Sequence, residues 1–347
     1  MSILSNTTLS RRRFMKTASA SSFALIAAAQ IPSLAFGKSM NSVSIALDWI
    51  ADVEFANLFV AKASGYFAKQ NVDVTYFPGG PNAPDPLISV AAGRAQIGQC
   101  IWTPFLNAVS KDNDLVVLGA AFPVNPGCII SLPGKPIKTA ADLKGKTLLI
   151  QYPSLETELK GIALYNNLST DFKTRPTGFS AEALFAGDGD GYLAFITNQP
   201  LELEAQGMVR GKDFVVTALD ELGYPIPASM FAVQRSYLQQ HREELVSFFA
   251  GLIQGQRACV ADPAAAVKQV VEHDGRDLGL DTANQLLVLK ETLKLAQSPK
   301  AGVPFMLLPE QQSEMLKFAE KIGDFSGLQV QSIFDMSVLE EAAKRVG

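Results

Sequence analysis

From residue 43 onward the chain switches repeatedly between two hydrophobic periods. Val43-Ser44-Ile45-Ala46-Leu47 alternates residue by residue, the period of a half-buried strand. Residues 55–69 instead carry Phe55, Leu58, Phe59, Ala61, Ala63 and Phe67 at helical spacing. The spacing then predicts a strand over 72–77, a Gly/Pro-rich loop at 79–84, a helix through Ala92, a short strand over 95–100, a helix over 103–109 and a strand over 115–122. Strands that alternate with helices imply an α/β domain with a mainly parallel sheet, because parallel neighbours need a crossover between them.

A second unit of the same kind follows. Pro133-Gly134-Lys135-Pro136 punctuates the chain, and strands are predicted over 147–151, 193–197 and 214–218, with a helix over 157–166. Residues 230–233 read as a strand returning to the first unit, and helices follow over 242–259, 263–273, 282–295 and 309–322. Asp262-Pro263 is an N-cap followed by proline at the first helical position. Two α/β units entered and left by separate crossings imply a hinge of two strands. The expected division is 38–132 with 230–347 as lobe 1 and 133–229 as lobe 2. Ligands of open α/β sheets bind outside the carboxyl ends of strands, so both lobes should face one cleft.

The first 37 residues stand apart. Ser10-Arg11-Arg12-Arg13-Phe14-Met15-Lys16 precedes a mild apolar run to Phe36 and small residues at 35–37, the pattern of a twin-arginine export signal with cleavage near 37–38. Such a signal predicts passage through the twin-arginine translocase in the folded state, and a periplasmic destination. The 347-residue chain holds 30 Lys+Arg and 34 Asp+Glu. Four of the bases and no acid lie in the leader, leaving 26 against 34 and a net charge of −8 over the remaining 310 residues. That balance argues against a nucleic-acid partner. Cys100, Cys128 and Cys259 are odd in number, lack a CxxC pair and have apolar neighbours, so buried packing is expected instead of a disulfide framework or a zinc site.

The segment ALDWIADVEFANLFVAKASGYFAKQNVDV resembles the opening of periplasmic binding proteins related to the thiamine-pyrimidine-synthase family, with Asp48-Trp49 after the first strand and Gly65-Tyr66-Phe67 before the second. ISVAAGRAQIGQC, IKTAADLKGKTLLI and GDGDGYLAFITNQPLELEAQG resemble further family segments in the same order, so the likeness covers roughly residues 43–270. The resemblance implies a type II periplasmic binding protein, α/β in class with two lobes, that delivers a solute to an inner-membrane ABC permease and its ATPase. The family often carries His-Thr-Gly after the Asp-Trp pair; this chain has Phe55-Ala56-Asn57. The reactive histidine and cysteine-rich segment of the yeast pyrimidine-forming members have no counterpart, since His241 and His273 lie in the C-terminal helical region.

Recognition by such proteins uses aromatic faces over a flat ligand and amides or carboxylates at its edges. The candidates are residues in loops after predicted strands: Asp48 and Trp49, Asn82, Trp102 and Thr103, Asn125, Tyr152 and Ser154, Tyr192, Asn198 and Tyr224. Asp48 suits a ligand N–H or a helix cap, Asn125 a ligand amide or a hinge turn, and Glu156 a helix cap. Asp188-Gly189-Asp190-Gly191 begins like a calcium loop, but its twelfth position is Gln199 where a bidentate Glu is required, which favours a turn and no metal. These loops contain no Lys or Arg, which favours an aromatic heterocycle (a pyrimidine thiamine precursor or riboflavin-like ring) over a sulfonate or nitrate; Arg94 or Arg175 in the cleft would reverse that order. No HExxH, GxSxG, paired His or CxxC supports the alternative of a pyrimidine-synthase-like enzyme, and no cofactor is expected.

Overall fold

The computed structural model describes residues 40–347 except 81–82, 298–301, 324 and 326. The export signal and Asn82 therefore lie outside the described residues. Among the described residues ten strands form two five-stranded sheets: β1 Asn41–Ala46, β2 Val72–Phe77, β3 Ile97–Cys100, β4 Leu115–Phe122, β5 Gly127–Ser131, β6 Thr147–Ile150, β7 Lys173–Pro176, β8 Gly191–Phe195, β9 Val215–Ala218 and β10 Ala228–Gln234. The first sheet runs β2-β1-β3-β10-β4 and the second β7-β6-β8-β5-β9. Each pairs its first three strands in parallel and inserts one antiparallel strand, β10 in the first sheet and β5 in the second. The sheets are thus mixed and not purely parallel, and the antiparallel strand is in each case the one that follows a crossing.

That pairing corrects the expected boundaries. The expected division puts residues 127–131 in lobe 1, yet β5 pairs with β8 and β9, so the first crossing is the loop 123–126. The second runs over 219–227 into β10. β5 is set off from β4 by Pro123-Val124-Asn125-Pro126, whereas β7, Lys-Thr-Arg-Pro, is too polar to reveal itself. The C-terminal helices are not confined to lobe 1 either. Helix Pro309–Ile322 lies on helix Ser154–Tyr165, with Phe318 against Tyr165 at 5.5 Å and against Tyr224 at 5.1 Å between ring centroids. An apolar core that includes Trp102, Phe105, Ile129, Leu159 and Phe318 is therefore shared between residues of both sheets.

The second large core lies on the other face of the first sheet, where helix Arg242–Ala261 covers helix Ala56–Ala63 and β1. The crossing is so tight that a Cβ on Gly255 would sit 2.1 Å from the Asn57 carbonyl oxygen and 2.8 Å from Ala61 Cβ. Backbone cannot rotate away, so Gly255→Ala is expected to cost about 1–3 kcal/mol through forced separation of the helices, despite alanine's better helix propensity. Urea midpoints of the variant and parent check it; an unchanged midpoint would mean that the helices slide freely. All three cysteines are free and buried, as expected from their apolar neighbours. Among the described residues no helix is long and apolar enough to cross a membrane.

Candidate functional site

The carboxyl ends of β1, β3, β6, β7 and β8 and the starts of β5 and β10 surround one cavity of about 430 Å³. Its volume falls within the roughly 300–1,000 Å³ common for small-ligand sites. From β1 come Asp48 and Trp49, held by a close backbone contact. Gly79 N–H donates to the Trp49 carbonyl at 2.7 Å, and a Cβ on Gly79 would stand 2.4 Å from the Leu47 carbonyl oxygen. Only glycine allows this approach, which explains the Gly79-Gly80 pair read in the sequence as a loop.

Three aromatic rings from separate loops meet at the cavity. Trp49 lies edge-on to Tyr152 (6.2 Å, 79°) and to Phe179 (5.4 Å, 62°), and Tyr152 and Phe179 are 6.0 Å apart. Tyr152 and Phe179 remain 37% and 42% exposed, so these rings are accessible without unfolding. Centroids at about 4.5–7 Å in edge geometry are the favourable aromatic arrangement. The first loop of lobe 1 and two loops of lobe 2 are thereby in contact across the cavity.

Carboxylates make up the second feature. Asp48 Oδ2 accepts the Ser229 hydroxyl at 2.6 Å, and its Oδ1 is buried without a partner. Ser229 has φ 52°, a left-handed conformation that costs a non-glycine residue on the order of 1 kcal/mol. It opens β10, so the strand crossing is tied directly to Asp48. Asp52 Oδ1 accepts the Glu54 N–H at 2.9 Å and caps the short helical turn Val53–Phe55. Asp52, not Asp48, is therefore the cap. Burial raises all three carboxyls above their ordinary values: Asp48, Asp52 to about 6, and Glu54 well up, each negative neighbour adding to the effect on Asp52 and Glu54. A fourth acid, Glu158, is pushed up to about 7 by burial, partly offset by a hydrogen bond from the Tyr224 hydroxyl.

Of the expected site residues, Asp48, Trp49, Asn125, Tyr152, Asn198 and Tyr224 line this cavity. Asn125 is the hinge turn of the two roles considered for it: its Nδ2 donates to the Ile226 carbonyl and its Oδ1 accepts the Gly127 N–H, both at 2.6 Å, clamping the two crossings together. Ser154 begins helix Ser154–Tyr165. Glu156 is not a cap; it pairs with Lys160 at 2.6 Å and accepts the Thr174 hydroxyl.

Three expectations are corrected. Trp102 is fully buried, stacked between Phe105 and Phe334 at 5.6 and 6.0 Å. Its helix, Trp102–Val109, starts so soon after β3 that the indole turns into the core. Thr103, 5% exposed, is buried with it. Tyr192 is also fully buried and belongs to the core of the second sheet, where its hydroxyl donates to the Gly178 carbonyl at 3.0 Å. It supports the loop that carries Phe179 instead of touching a ligand. The Asp188–Gly191 segment is a turn: Asp190 accepts the Thr147 N–H at 2.9 Å and Asp188 pairs with Arg175 at 3.0 Å.

Sequence reasoning missed Asp52, Glu54, Gln99, Glu158, Phe179, Gln285 and Thr292, all of which line the cavity. Gln99 was detectable in principle: a glutamine inside the buried strand Ile-Gly-Gln-Cys needs a reason to be there. Gln285 and Thr292 come from helix Thr282–Leu295, far along the chain, and carried no signal. Among the described residues the cavity lining contains no Lys, Arg or His, so neither Arg94 nor Arg175 enters it.

These sheets and this interlobe cavity define a type II periplasmic binding-protein fold. The chain belongs to the NMT1/THI5-like family, whose match spans residues 52–266. It is 24% identical over 255 residues to the formylaminopyrimidine-binding protein of Halalkalibacterium halodurans, covering 70% of this chain and 73% of that one. It is 22% identical to the 4-amino-5-hydroxymethyl-2-methylpyrimidine phosphate synthase of Uromyces fabae (65% and 69% covered) and 22% identical to a riboflavin-binding protein of Chloroflexus aurantiacus (75% and 74%). Among solved structures, the periplasmic aliphatic sulphonate binding protein of Escherichia coli superposes with a TM-score of 0.61 at 17% identity, covering 81% of this chain and 91% of that one. The periplasmic nitrate-binding protein of Synechocystis superposes with a TM-score of 0.57 at 13% identity, covering 88% and 89%.

Proposed function

We propose that this chain is an exported solute receptor of an ABC importer and binds a small aromatic heterocycle between its lobes. The observation that carries the reading is the cavity itself: a cleft flanked by Trp49, Tyr152 and Phe179, with hydrogen-bond acceptors in its wall and, among the described residues, no basic side chain. Aromatic faces suit a flat ring, and acceptors suit its amino groups. A sulfonate or nitrate would need a charged or backbone donor set aimed into the site, which the acidic lining opposes. The relatives named for a formylaminopyrimidine and for riboflavin support a heterocycle in general without choosing between them.

Binding, not turnover, is the proposed activity, and the binding-protein fold with relatives named for binding a formylaminopyrimidine and riboflavin supports it. Closure of the lobes on the ligand would present the surface that an inner-membrane permease and its ATPase read. Passage through the twin-arginine translocase to the periplasm belongs to the same proposal and rests on residues 10–37.

Calorimetric titration of the full chain with pyrimidines, riboflavin, alkanesulfonates and nitrate tests the reading. Trp49→Ala should weaken binding of the preferred heterocycle about tenfold or more, ~1.4 kcal/mol, through loss of the stacked ring. Its melting temperature should stay near the parent's, since Trp49 is only partly buried. Tight binding of an anion that is indifferent to Trp49 would refute the ligand class while leaving the fold untouched.

A further inference from the structure

We infer that the ligand of this cavity is bound as an organic cation, its positive nitrogen paired with the Asp48, Asp52 and Glu54 carboxyls while the Trp49, Tyr152 and Phe179 rings cover the rest. The inference deepens the solute-receptor reading and rests on it.

The first support is charge. Asp48, Asp52, Glu54, Asp85 and Glu158 line the cavity, and among the described residues no Lys, Arg or His does. Asp85 is accounted for, because its Oδ1 caps helix Pro86–Ala91 through the Leu87 N–H at 2.7 Å. Glu158 stands beside the Tyr224 hydroxyl. Asp48, Asp52 and Glu54 remain together on one seven-residue stretch. Their partners are neutral donors, the Ser229 hydroxyl and the Glu54 N–H, which orient a carboxylate but leave its charge uncompensated. Among the described residues, none of the three forms an ion pair. Clustered buried carboxylates are costly unless a proton or a cation accompanies them.

The second support is hydrogen bonding, and it rests on Gln99 and Thr292 as well as on Asp48. Gln99, 3% exposed, lines the cavity and leaves its Oε1 buried without a hydrogen bond. Thr292, 5% exposed, does the same with its Oγ1 from the opposite part of the chain, and Asp48 Oδ1 is a third such atom. A carboxylate oxygen and an amide oxygen accept hydrogen bonds and cannot donate them. Buried polar oxygens without partners are rare in folded proteins, and these share one cavity, so the missing partner is a group that presents hydrogen-bond donors, as an ammonium does. The third support is the aromatic trio. The faces of Trp and Tyr carry negative quadrupole density that attracts a cation within about 6 Å. Burial and their mutual repulsion raise all three carboxyls above their ordinary values, the direction expected of buried negative groups that lack a counter-ion.

The test compares two ligands that differ in one charge. 4-Amino-5-(hydroxymethyl)-2-methylpyrimidine is neutral at pH 7, and its 5-aminomethyl analogue carries an ammonium group. Titrated into the full chain at pH 7, the aminomethyl compound should bind at least tenfold more tightly. Glu54→Gln and Asp48→Asn should each reduce that preference several-fold. Equal affinity, or a preference for the hydroxymethyl compound, overturns the inference with no variant needed. Choline separates this failure from failure of the heterocycle reading. If neither pyrimidine binds but choline does, in a Trp49-dependent way, the cation assignment stands and the heterocycle falls. Binding of none of the three at millimolar concentration, or of nitrate or an alkanesulfonate in their place, refutes the cation assignment.

Discussion

Trp102→Ala should lower the unfolding free energy by about 3–5 kcal/mol, the range for removing a large aromatic side chain from a packed core. Trp102 is fully buried and sits between Phe105 and Phe334, within the core shared by residues of both sheets. The loss has two parts: the apolar transfer energy of the indole and the void that remains, because rings on both sides cannot close a gap of that size. In a chain of this length the melting temperature should fall by about 5–15 °C. Trp102→Phe keeps the stack, removes the buried Nε1 that lacks a partner, and should lose less than half as much. Scanning calorimetry of both variants checks this. A Trp102→Ala protein with unchanged stability but lost ligand binding would reinstate Trp102 as a cleft residue.

Stability should also fall as pH rises through the window set by Glu158. This carboxyl is 6% exposed, and burial holds it at about 7 in the folded protein against an ordinary 4.5. Between those values the folded state keeps a proton that the unfolded chain has released. Stability contributed by the neutral acid is therefore complete below about pH 4.5 and declines until about pH 7, by roughly 3 kcal/mol. Glu158→Gln cannot ionise and keeps the size and polarity of the protonated acid. It should match the parent near pH 4 and exceed it near pH 8. Asp48, Asp52 and Glu54 change with the same sign, whereas Asp142, Glu156, Glu243 and Glu314 are lowered by hydrogen bonds and act oppositely. The difference between variant and parent isolates Glu158. Urea unfolding at pH 4.5, 6 and 8 measures it, and parallel curves for the two proteins would remove Glu158 from the account.

Both predictions concern residues whose roles the sequence left open or did not signal. Trp102 and Trp49 have the same local description, an aromatic ring just past a strand. Only the packing around them distinguishes them. Trp49 follows β1 into a loop pinned by Gly79, whereas Trp102 enters a helix immediately and turns inward. Glu158 occupies a helix position that would ordinarily be solvated; it is buried because the chain crossing at 219–227 brings Tyr224 over it.

Local periodicity determined a good deal without any structure. Alternation over 43–47 and 72–77 and helical spacing over 55–69 place the first βαβ unit, because side-chain periods of 2 and 3.6 follow from backbone geometry alone. The Asp48-Trp49 pair at a strand end, the absence of basic residues from the candidate loops and the burial of the three cysteines were legible for similar reasons. The tertiary structure alone decided what depends on distant segments. It placed β5 in the second sheet and laid helix Pro309–Ile322 across helix Ser154–Tyr165. It also brought Gln99, Phe179 and Thr292 to the cavity that holds Asp48. Residues as far apart in the chain as Asp48 and Thr292 meet there because strand pairing and apolar burial act through space, and neither leaves a mark in the local sequence.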